Sequence, residues 1–241
     1  MREDPAFRPP LLLTRPRAGS ARFARQFRAR LGDESWPVTI APLMEIEPTG
    51  ADLPATNALI ITSESAVAPV AAAPALAGKP VYCVGERTAQ ALTRAGFEVA
   101  LVAPDAKTLL PMILTAPDPG ALLHARGSDT AFPLAERLTQ AGRVVREAVV
   151  YAQMPQPPAP ELLALLARPE PVLVPVFSPN SGRLLAEVGA EARAKLRLAA
   201  ISPAAAEACA GLPRTEMRVA AKPSAEALLD ILVALMRDSS G

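Results

Sequence analysis

Short apolar runs alternate with amphipathic stretches along most of the chain, a pattern typical of a parallel α/β fold. Val81–Val84 is one such run, and Gly85 follows it directly. The next residues place Ala89 and Leu92 on one helical face. This pattern predicts a buried strand, a sharp turn and a helix. Because the first N–H groups of a helix have no partner within it, such a turn is a natural anion site.

The same order of elements occurs twice. Strands are predicted at 11–13, 38–46, 58–63, 81–84 and 99–102, and again in the same order at 122–126, 144–151, 175–178, 199–202 and 218–224. Ser178 lies 115 residues after Ser63, and Pro223 lies 119 residues after Pro104. This nearly constant spacing favours an internal duplication over the general self-similarity of α/β chains. Within the repeats, Ser20 is expected to cap the first helix, and the matching later helix is expected at about 129–141.

A duplicated strand–helix array predicts two similar open sheets. Ligands of such sheets bind beyond the carboxyl ends of the strands. Two facing lobes would form a cleft. The length of 241 residues suits one large domain or two domains of about 100–120 residues.

Composition narrows the choice of partners. The chain has 25 Lys and Arg against 24 Asp and Glu, which argues against a nucleic-acid partner. We find neither an apolar signal segment nor a span long enough for a bilayer, so a cytoplasmic protein without membrane contact is expected. The two cysteines, Cys83 and Cys209, have no paired spacing that would indicate a metal site or a disulfide framework.

Familiar catalytic motifs do not occur in the sequence. G-x-x-x-x-G-K-[ST], G-x-G-x-x-G and G-x-S-x-G are all missing, which disfavours nucleotide-using and hydrolase functions. A nucleotide-using Rossmann enzyme stays open as one alternative. The single histidine, His124, lies inside a strand-like run, which favours a packed strand residue over a catalytic base.

Polar residues follow the predicted strands at matching points of the two repeats. Small hydroxyls, basic groups and a helix-opening glycine suit a polyanionic ligand, although each serine alone could be a cap or turn residue. Tyr151 ends its strand just before a proline-rich connector, where it either packs or presents its phenol to a cleft. The candidate binding residues are Arg15, Ser63, Gly85, Thr88, Arg126, Ser178, Asn180 and Ser202.

Several segments, in order, resemble the uroporphyrinogen-III synthase family. They are TRP at 14–16, ALIITSESAV at 58–67, VYCVGERTAQAL at 81–92, VVREAVVY at 144–151, VFSPNSGRLL at 176–185, AAISPAAAEA at 199–208 and VAAKPSAEALL at 219–229. The resemblance implies an α/β protein with two similar open parallel-sheet domains (flavodoxin-like, HemD-like) joined by a two-stranded β connector, with a cleft between them. It implies a discontinuous domain of residues 10–36 plus 156–241, a second domain of 49–145, and connector strands at 37–48 and 146–155.

The resemblance also implies a function. Members are cyclising hydro-lyases of haem biosynthesis that convert hydroxymethylbilane into uroporphyrinogen III with inversion of ring D. It implies action on a small-molecule substrate without metal or organic cofactor. A monomer is expected because nothing in the sequence demands a partner chain. The alternative is a non-catalytic two-lobed protein that binds or senses small anions or tetrapyrroles.

The family's residue roles transfer to particular positions. The resemblance implies that Tyr151 is the proton donor and that Thr88 is the threonine of the family's VG-x-x-TA segment. Substrate acetates and propionates would be held by Arg15, Arg126 and the amides around Ser63, Gly85, Ser178 and Ser202. One departure is that Ala204–Ala206 stand where many members carry hydroxyl residues.

Overall fold

The computed structural model describes residues 7–130 and 132–237. The first six residues of the predicted lead-in, Ala131 of a predicted helix and the last four residues of the predicted final domain lie outside these ranges. The chain divides into two compact units. The first comprises the residues up to Glu45 and those from Pro155 onward, and the second is Ile46–Met154. The domain limits and the separate connector predicted from the family stay predictions.

Strands and helices alternate along both units. The strands are β1 (Leu11–Leu13), β2 (Val38–Ile40), β3 (Met44–Pro48), β4 (Ala58–Ile61), β5 (Val81–Val84), β6 (Val99–Ala103), β7 (Leu122–Gly127), β8 (Val145–Pro155), β9 (Pro171–Val176), β10 (Lys195–Ala200) and β11 (Arg214–Val219). The helices are α1 (Arg17–Leu31), α2 (Val67–Ala71), α3 (Glu86–Arg94), α4 (Ala106–Thr115), α5 (Leu134–Gln140), α6 (Pro160–Leu166), α7 (Pro179–Gly189), α8 (Pro203–Glu207) and α9 (Ala225–Arg237). Short 3₁₀ turns cover Glu64–Ala66 and Pro74–Leu76.

Each unit contains one sheet, and both sheets confirm the predicted parallel α/β fold. The first sheet has the order β11-β10-β9-β1-β2, with every neighbouring pair parallel. The second has the order β3-β8-β7-β4-β5-β6, and the pairs from β8 to β6 are parallel. Each sheet therefore combines two leading strands of one predicted repeat with three later strands of the other, and the second sheet has β3 as a sixth, edge strand. The strand order reverses between β1 and β9 in the first sheet and between β7 and β4 in the second, and such points are where open sheets bind ligands.

Strands β1 and β4 are apolar at every position because helices cover both faces of each sheet. Leu12 packs into one core cluster, whereas Leu11 and Leu13 pack into another. In the second unit, Leu59 and Ile61 belong to one cluster, and their neighbours in β4 belong to a different one. This alternation follows from the period of two in a strand. None of the helices within 7–130 and 132–237 has the length and apolar character needed to cross a membrane.

Two predicted helix starts are wrong. α1 begins at Arg17, ahead of Ser20, whose hydroxyl donates to the carbonyl of Arg15 over 2.8 Å. The Arg17 N–H instead donates to the carboxylate of Glu45, at 3.1 Å from Oε1. A partner 28 positions away in sequence thus serves the helix start, and local sequence could not reveal it. α5 begins only after Pro133, later than predicted, since proline disfavours a helical residue before it.

Candidate functional site

The predicted site residues all lie toward the carboxyl edges of the two parallel sheets. In the first unit they follow strands β1, β9 and β10, and in the second unit they follow β4 and β5 or lie late in β7 and β8. The structure thereby forms one strand-end group in each unit. The first-unit group is Arg15, Ser178, Asn180 and Ser202, and the second-unit group is Ser63, Gly85, Thr88, Arg126 and Tyr151.

Packing fixes the position of Arg15 at the point where the first sheet reverses its strand order. Its guanidinium lies over the ring of Phe177, with 4.2 Å from Cζ to the ring centroid. Phe177 in turn packs edge-on against Phe23, with centroids 4.9 Å apart. A methyl group on Gly19 would lie 2.7 Å from Arg15 Nε, so the side chain lies against the first turn of α1. The aromatic contact stabilises the cation without neutralising it.

The three predicted serines cap the turns that follow their strands. Ser178 Oγ accepts from the Ser181 N–H at 3.1 Å, and Ser181 Oγ accepts from the Ser178 N–H at 3.0 Å. Ser202 Oγ accepts from the Ala205 N–H at 3.2 Å, and Ser63 Oγ accepts from the Ser65 N–H at 3.3 Å. The cap alternative therefore holds for all three hydroxyls. Substrate contact through the nearby backbone amides stays a prediction.

We expect Ser178→Ala to lower the free energy of unfolding by about 1 kcal/mol, because the substitution removes the capping bond that Ser178 Oγ accepts from the Ser181 N–H at the start of α7. For a chain of this size, that change shifts the thermal midpoint by about 2–4 °C. Thermal unfolding followed by circular dichroism measures the shift. Ser178→Thr keeps a capping hydroxyl and is the control. An alanine variant as stable as wild type would contradict the prediction.

Asn180 lies in the first turn of α7 and is half-buried. Its Oδ1 accepts from Arg183 Nη2 at 3.0 Å, and its Nδ2 lies 3.9 Å from the sulfur of Met44. Arg183 is itself paired with Glu187 at 2.6 Å. The local charge is thus already balanced, and Asn180 presents polarity without net charge.

After β5, the hydroxyl of Thr88 lies near the start of α3, which no side chain caps. Gly85 has φ 82° and ψ 137°, a backbone conformation that only glycine adopts readily. Thr88 is 5% exposed, and its Oγ1 lies 4.0 Å from the position of a Cβ on Gly85. Among the described residues, this hydroxyl has no hydrogen-bond partner. A hydroxyl without a partner beside helix N–H groups can bind a carboxylate oxygen.

Tyr151 is the residue opposite Gly127 in the pairing of β7 with β8. A Cβ on Gly127 would lie 2.6 Å from Cε2 and Cζ of the tyrosine ring and 2.8 Å from its hydroxyl oxygen. The ring therefore lies directly on the glycine, which only a residue without a side chain permits. Tyr151 is half-buried, and its hydroxyl forms no hydrogen bond to residues in the described ranges. Gly127 is a part of the site that sequence reasoning missed.

Arg126 is held by partners in its own unit. Its Nε donates to Glu147 Oε1 at 2.7 Å, and its Nη1 donates to the carbonyls of Gly127 at 2.8 Å and Ser128 at 3.3 Å. Glu147 was also missed, because its pairing depends on the register of β7 against β8. A substrate contact of Arg126 stays a prediction, and in this structure much of its hydrogen-bonding capacity is already used.

His124 lies next to this pair and is 2% exposed, as expected for a packed strand residue. Its Nε2 is 3.3 Å from Thr62 Oγ1. Its Nδ1 is 3.3 Å from Glu147 Oε1, an ion-pair distance at which the atoms do not meet hydrogen-bond geometry. Burial lowers the pKa of His124; the Glu147 carboxylate opposes this, and Arg126 adds to it. The imidazole is therefore neutral at neutral pH.

Neither cysteine has the environment of a nucleophile. Burial, with a smaller contribution from Glu86, raises the pKa of the Cys83 thiol to about 11. Burial also raises the pKa of Cys209, and both thiols are free. Within 7–130 and 132–237, no group of three His, Cys, Asp or Glu side chains is placed to hold a metal ion.

We expect the folded protein to resist alkylation at Cys83. A pKa of about 11, against 9.0 for an unperturbed thiol, lowers the reactive thiolate fraction about 100-fold at pH 8. Iodoacetamide labelling with peptide mass spectrometry measures this rate, and the urea-unfolded chain is the control. Equal labelling of the folded and unfolded chains would contradict the prediction.

Comparison with known proteins identifies the family. The family model for uroporphyrinogen-III synthase HemD matches residues 25–230. No curated protein matches the sequence significantly. The crystal structure of uroporphyrinogen-III synthetase from Helicobacter pylori 26695 has a TM-score of 0.68 at 20% identity, covering 95% of this chain and 100% of that chain. A mutant uroporphyrinogen III synthase from Thermus thermophilus has a TM-score of 0.47 at 17% identity, covering 96% and 99%. The first structure supports the fold, and because the family match spans most of the sequence, this chain belongs to the uroporphyrinogen-III synthase family.

Proposed function

We propose that this chain closes hydroxymethylbilane to uroporphyrinogen III, the cyclising lyase reaction of its family, and that Tyr151 is its proton donor. The main observation that supports the proposal is the position of the Tyr151 side chain. Its phenol lies on Gly127 at the strand-end edge of the second unit, without a hydrogen-bond partner in the described part of the chain. A hydroxyl so placed can give its proton to a substrate group.

The proposed chemistry needs one proton to be donated and one to be recovered. The Tyr151 phenol protonates the substrate hydroxyl, which leaves as water and generates an azafulvene. The substituted carbon of ring D attacks it, and the resulting spiro intermediate fragments and recloses with ring D inverted. The pyrrole carbon that forms the last bond loses its proton, and the phenolate recovers one. The net change is the loss of one water molecule.

Positioning of the substrate's reacting groups supplies the remainder of the rate acceleration, because the substrate carries both its electrophile and its nucleophile. Holding reacting groups in one geometry contributes roughly 7–11 kcal/mol in favourable cases. We assign this task to the strand-end groups of the two units. For binding the substrate carboxylates, Arg15 supplies a guanidinium held against Phe177, Thr88 supplies a hydroxyl, and backbone amides supply N–H groups. The proposed substrate-binding residues are Arg15, Ser63, Gly85, Thr88, Arg126, Ser178, Asn180 and Ser202.

We also propose that the protein works as a cytoplasmic monomer without nucleic-acid partners. The near balance of 25 basic and 24 acidic residues supports the lack of a nucleic-acid partner. The two free thiols are in keeping with a reducing compartment. Sedimentation velocity of the purified chain tests the monomer, and a dimer at micromolar concentration would overturn that part of the proposal.

An isomer assay tests the proposed reaction. The purified chain is given hydroxymethylbilane, the products are oxidised to porphyrins, and chromatography separates type I from type III. Type III product above the spontaneous type I background supports the proposal. Binding of the tetrapyrrole with only type I product would overturn it and indicate a binding or sensor protein.

A further inference from the structure

A chain of polar side chains joins three neighbouring strands of the second sheet, from the carboxyl end of β4 through β7 to the early part of β8. Thr62, just after β4, contacts His124 of β7 at 3.3 Å. His124 faces Glu147 of β8 at 3.3 Å, and the same carboxylate oxygen accepts from Arg126 of β7 at 2.7 Å. Thr62, His124, Glu147 and Arg126 are hereafter called the strand-end network. It lies beside two proposed site residues, since Ser63 follows Thr62 and Gly127 follows Arg126.

The network reaches Tyr151 through the backbone after β7. Arg126 Nη1 donates to the carbonyl of Gly127 at 2.8 Å and to that of Ser128 at 3.3 Å. The Ser128 N–H donates to the Tyr151 carbonyl at 3.1 Å, and the tyrosine ring lies on Gly127. The Arg126 guanidinium is therefore bonded to the same backbone segment on which the ring lies.

Stability alone is a weak explanation for this arrangement. The Glu147 side chain is 41% exposed, and ion pairs at that exposure contribute little to stability. The Glu147 carboxylate is nevertheless held between two groups, the guanidinium of Arg126 and the buried imidazole of His124. Support of this kind is what holds a catalytic group in a productive orientation.

We infer that Glu147 and His124 are positioning residues, which fix Arg126 and, through the Gly127–Ser128 backbone, the orientation of the Tyr151 phenol. This inference rests on the proposed role of Tyr151. Neither residue touches the substrate in this scheme. Their loss should thus act on kcat through Tyr151 and on KM through Arg126, a proposed substrate contact.

Kinetics of Glu147→Gln test the inference. The substitution keeps the size of the side chain and removes its charge. We expect kcat for type III formation to fall about tenfold, within the roughly 100-fold loss that a misplacement of 1 Å can cause. The thermal midpoint should stay close to wild type. Glu98→Gln is the matched control, because Glu98 is exposed at the start of β6, away from the strand-end edge. Glu147→Asp, which keeps the charge but shortens the reach, should also lower kcat and serves if the glutamine variant folds poorly.

A double-mutant cycle separates this inference from the proposed function. If Glu147 acts through Tyr151, Glu147→Gln should have little further effect on kcat in a Tyr151→Phe background. Full, additive losses would overturn the inference while leaving Tyr151 in the mechanism. Unchanged kcat in Glu147→Gln, alongside a strong loss in Tyr151→Phe, would do the same. An unchanged rate in Tyr151→Phe would overturn the donor role itself.

The single histidine reports on the network independently of activity. His124 is the only histidine, so its imidazole gives one titrating NMR signal. Glu147→Gln should lower the pKa of His124, because it removes the carboxylate that favours the imidazolium. Arg126→Gln should raise this pKa, because it removes a neighbouring cation. A titration that responds to neither change would overturn the network.

Discussion

Replacing Tyr151 with phenylalanine should reduce kcat for type III formation by about 10²–10⁴-fold, the usual contribution of a positioned proton donor. The substitution removes one oxygen atom, and that oxygen has no hydrogen-bond partner within residues 7–130 and 132–237. The ring would keep its contact with Gly127 and with the core cluster that contains Leu59 and Val81. The thermal midpoint should therefore change little. The measurement is the initial rate of type III formation with the spontaneous type I rate subtracted.

The chain offers a matched control for this substitution. Tyr82 is the other tyrosine of the sequence, and it is buried in β5 of the same unit. Tyr82→Phe removes the same atom from a strand of the same sheet and should leave kcat near wild type. Equal rates in Tyr151→Phe and wild type would remove Tyr151 from the mechanism without changing the family.

Gly127→Ala should lower kcat by about 100-fold through displacement of the same ring. The added methyl would lie 2.6 Å from two ring carbons of Tyr151, closer than nonbonded carbon atoms approach. Since Gly127 lies in a β-strand without positive φ, the backbone accepts alanine and the ring must move. A misplacement of about 1 Å is enough for a loss of this size. Crowding of this kind also costs roughly 1–3 kcal/mol of stability.

Two comparisons make the glycine result specific. Gly211→Ala adds the same methyl where no atom lies within 4 Å, so it should leave both rate and stability near wild type. In a Tyr151→Phe background, Gly127→Ala should add little further loss, because the group that it displaces no longer donates a proton. A Gly127→Ala enzyme with wild-type kcat would show that the ring's seat on the glycine is irrelevant to turnover.

Sequence patterns predicted the strands well, because both sheets are covered on both faces. A central strand such as Ala58–Ile61 must then be apolar throughout, and a short apolar run bounded by polar residues is easy to recognise. Helix starts were harder to predict. The first N–H of α1, that of Arg17, donates to the carboxylate of Glu45, and no rule based on neighbouring residues could have predicted that partner.

The site was only partly predictable for a related reason. Ser63, Ser178 and Ser202 were found as strand-end hydroxyls, but a cap and a ligand contact require the same residue type at the same place. The pairing of Arg126 with Glu147 depends on strand register, which side-chain patterns do not specify between two parallel strands. The role of Gly127 depends on Tyr151 of the adjacent strand β8. The presence of a glycine in a strand does not reveal which side chain packs on it.

The mixing of early and late strands in one sheet affects how the nascent chain folds. Apart from the start of β3 and the last residue of β8, the strands of the second sheet lie between Ile46 and Met154, so ribosomal synthesis completes that unit first. Leu11 of β1 pairs with Leu173, so one edge of β1 stays without its partner until β9 has been made. Exposed strand edges of this kind attract other chains. Chaperone protection during translation should therefore matter most for the N-terminal 45 residues.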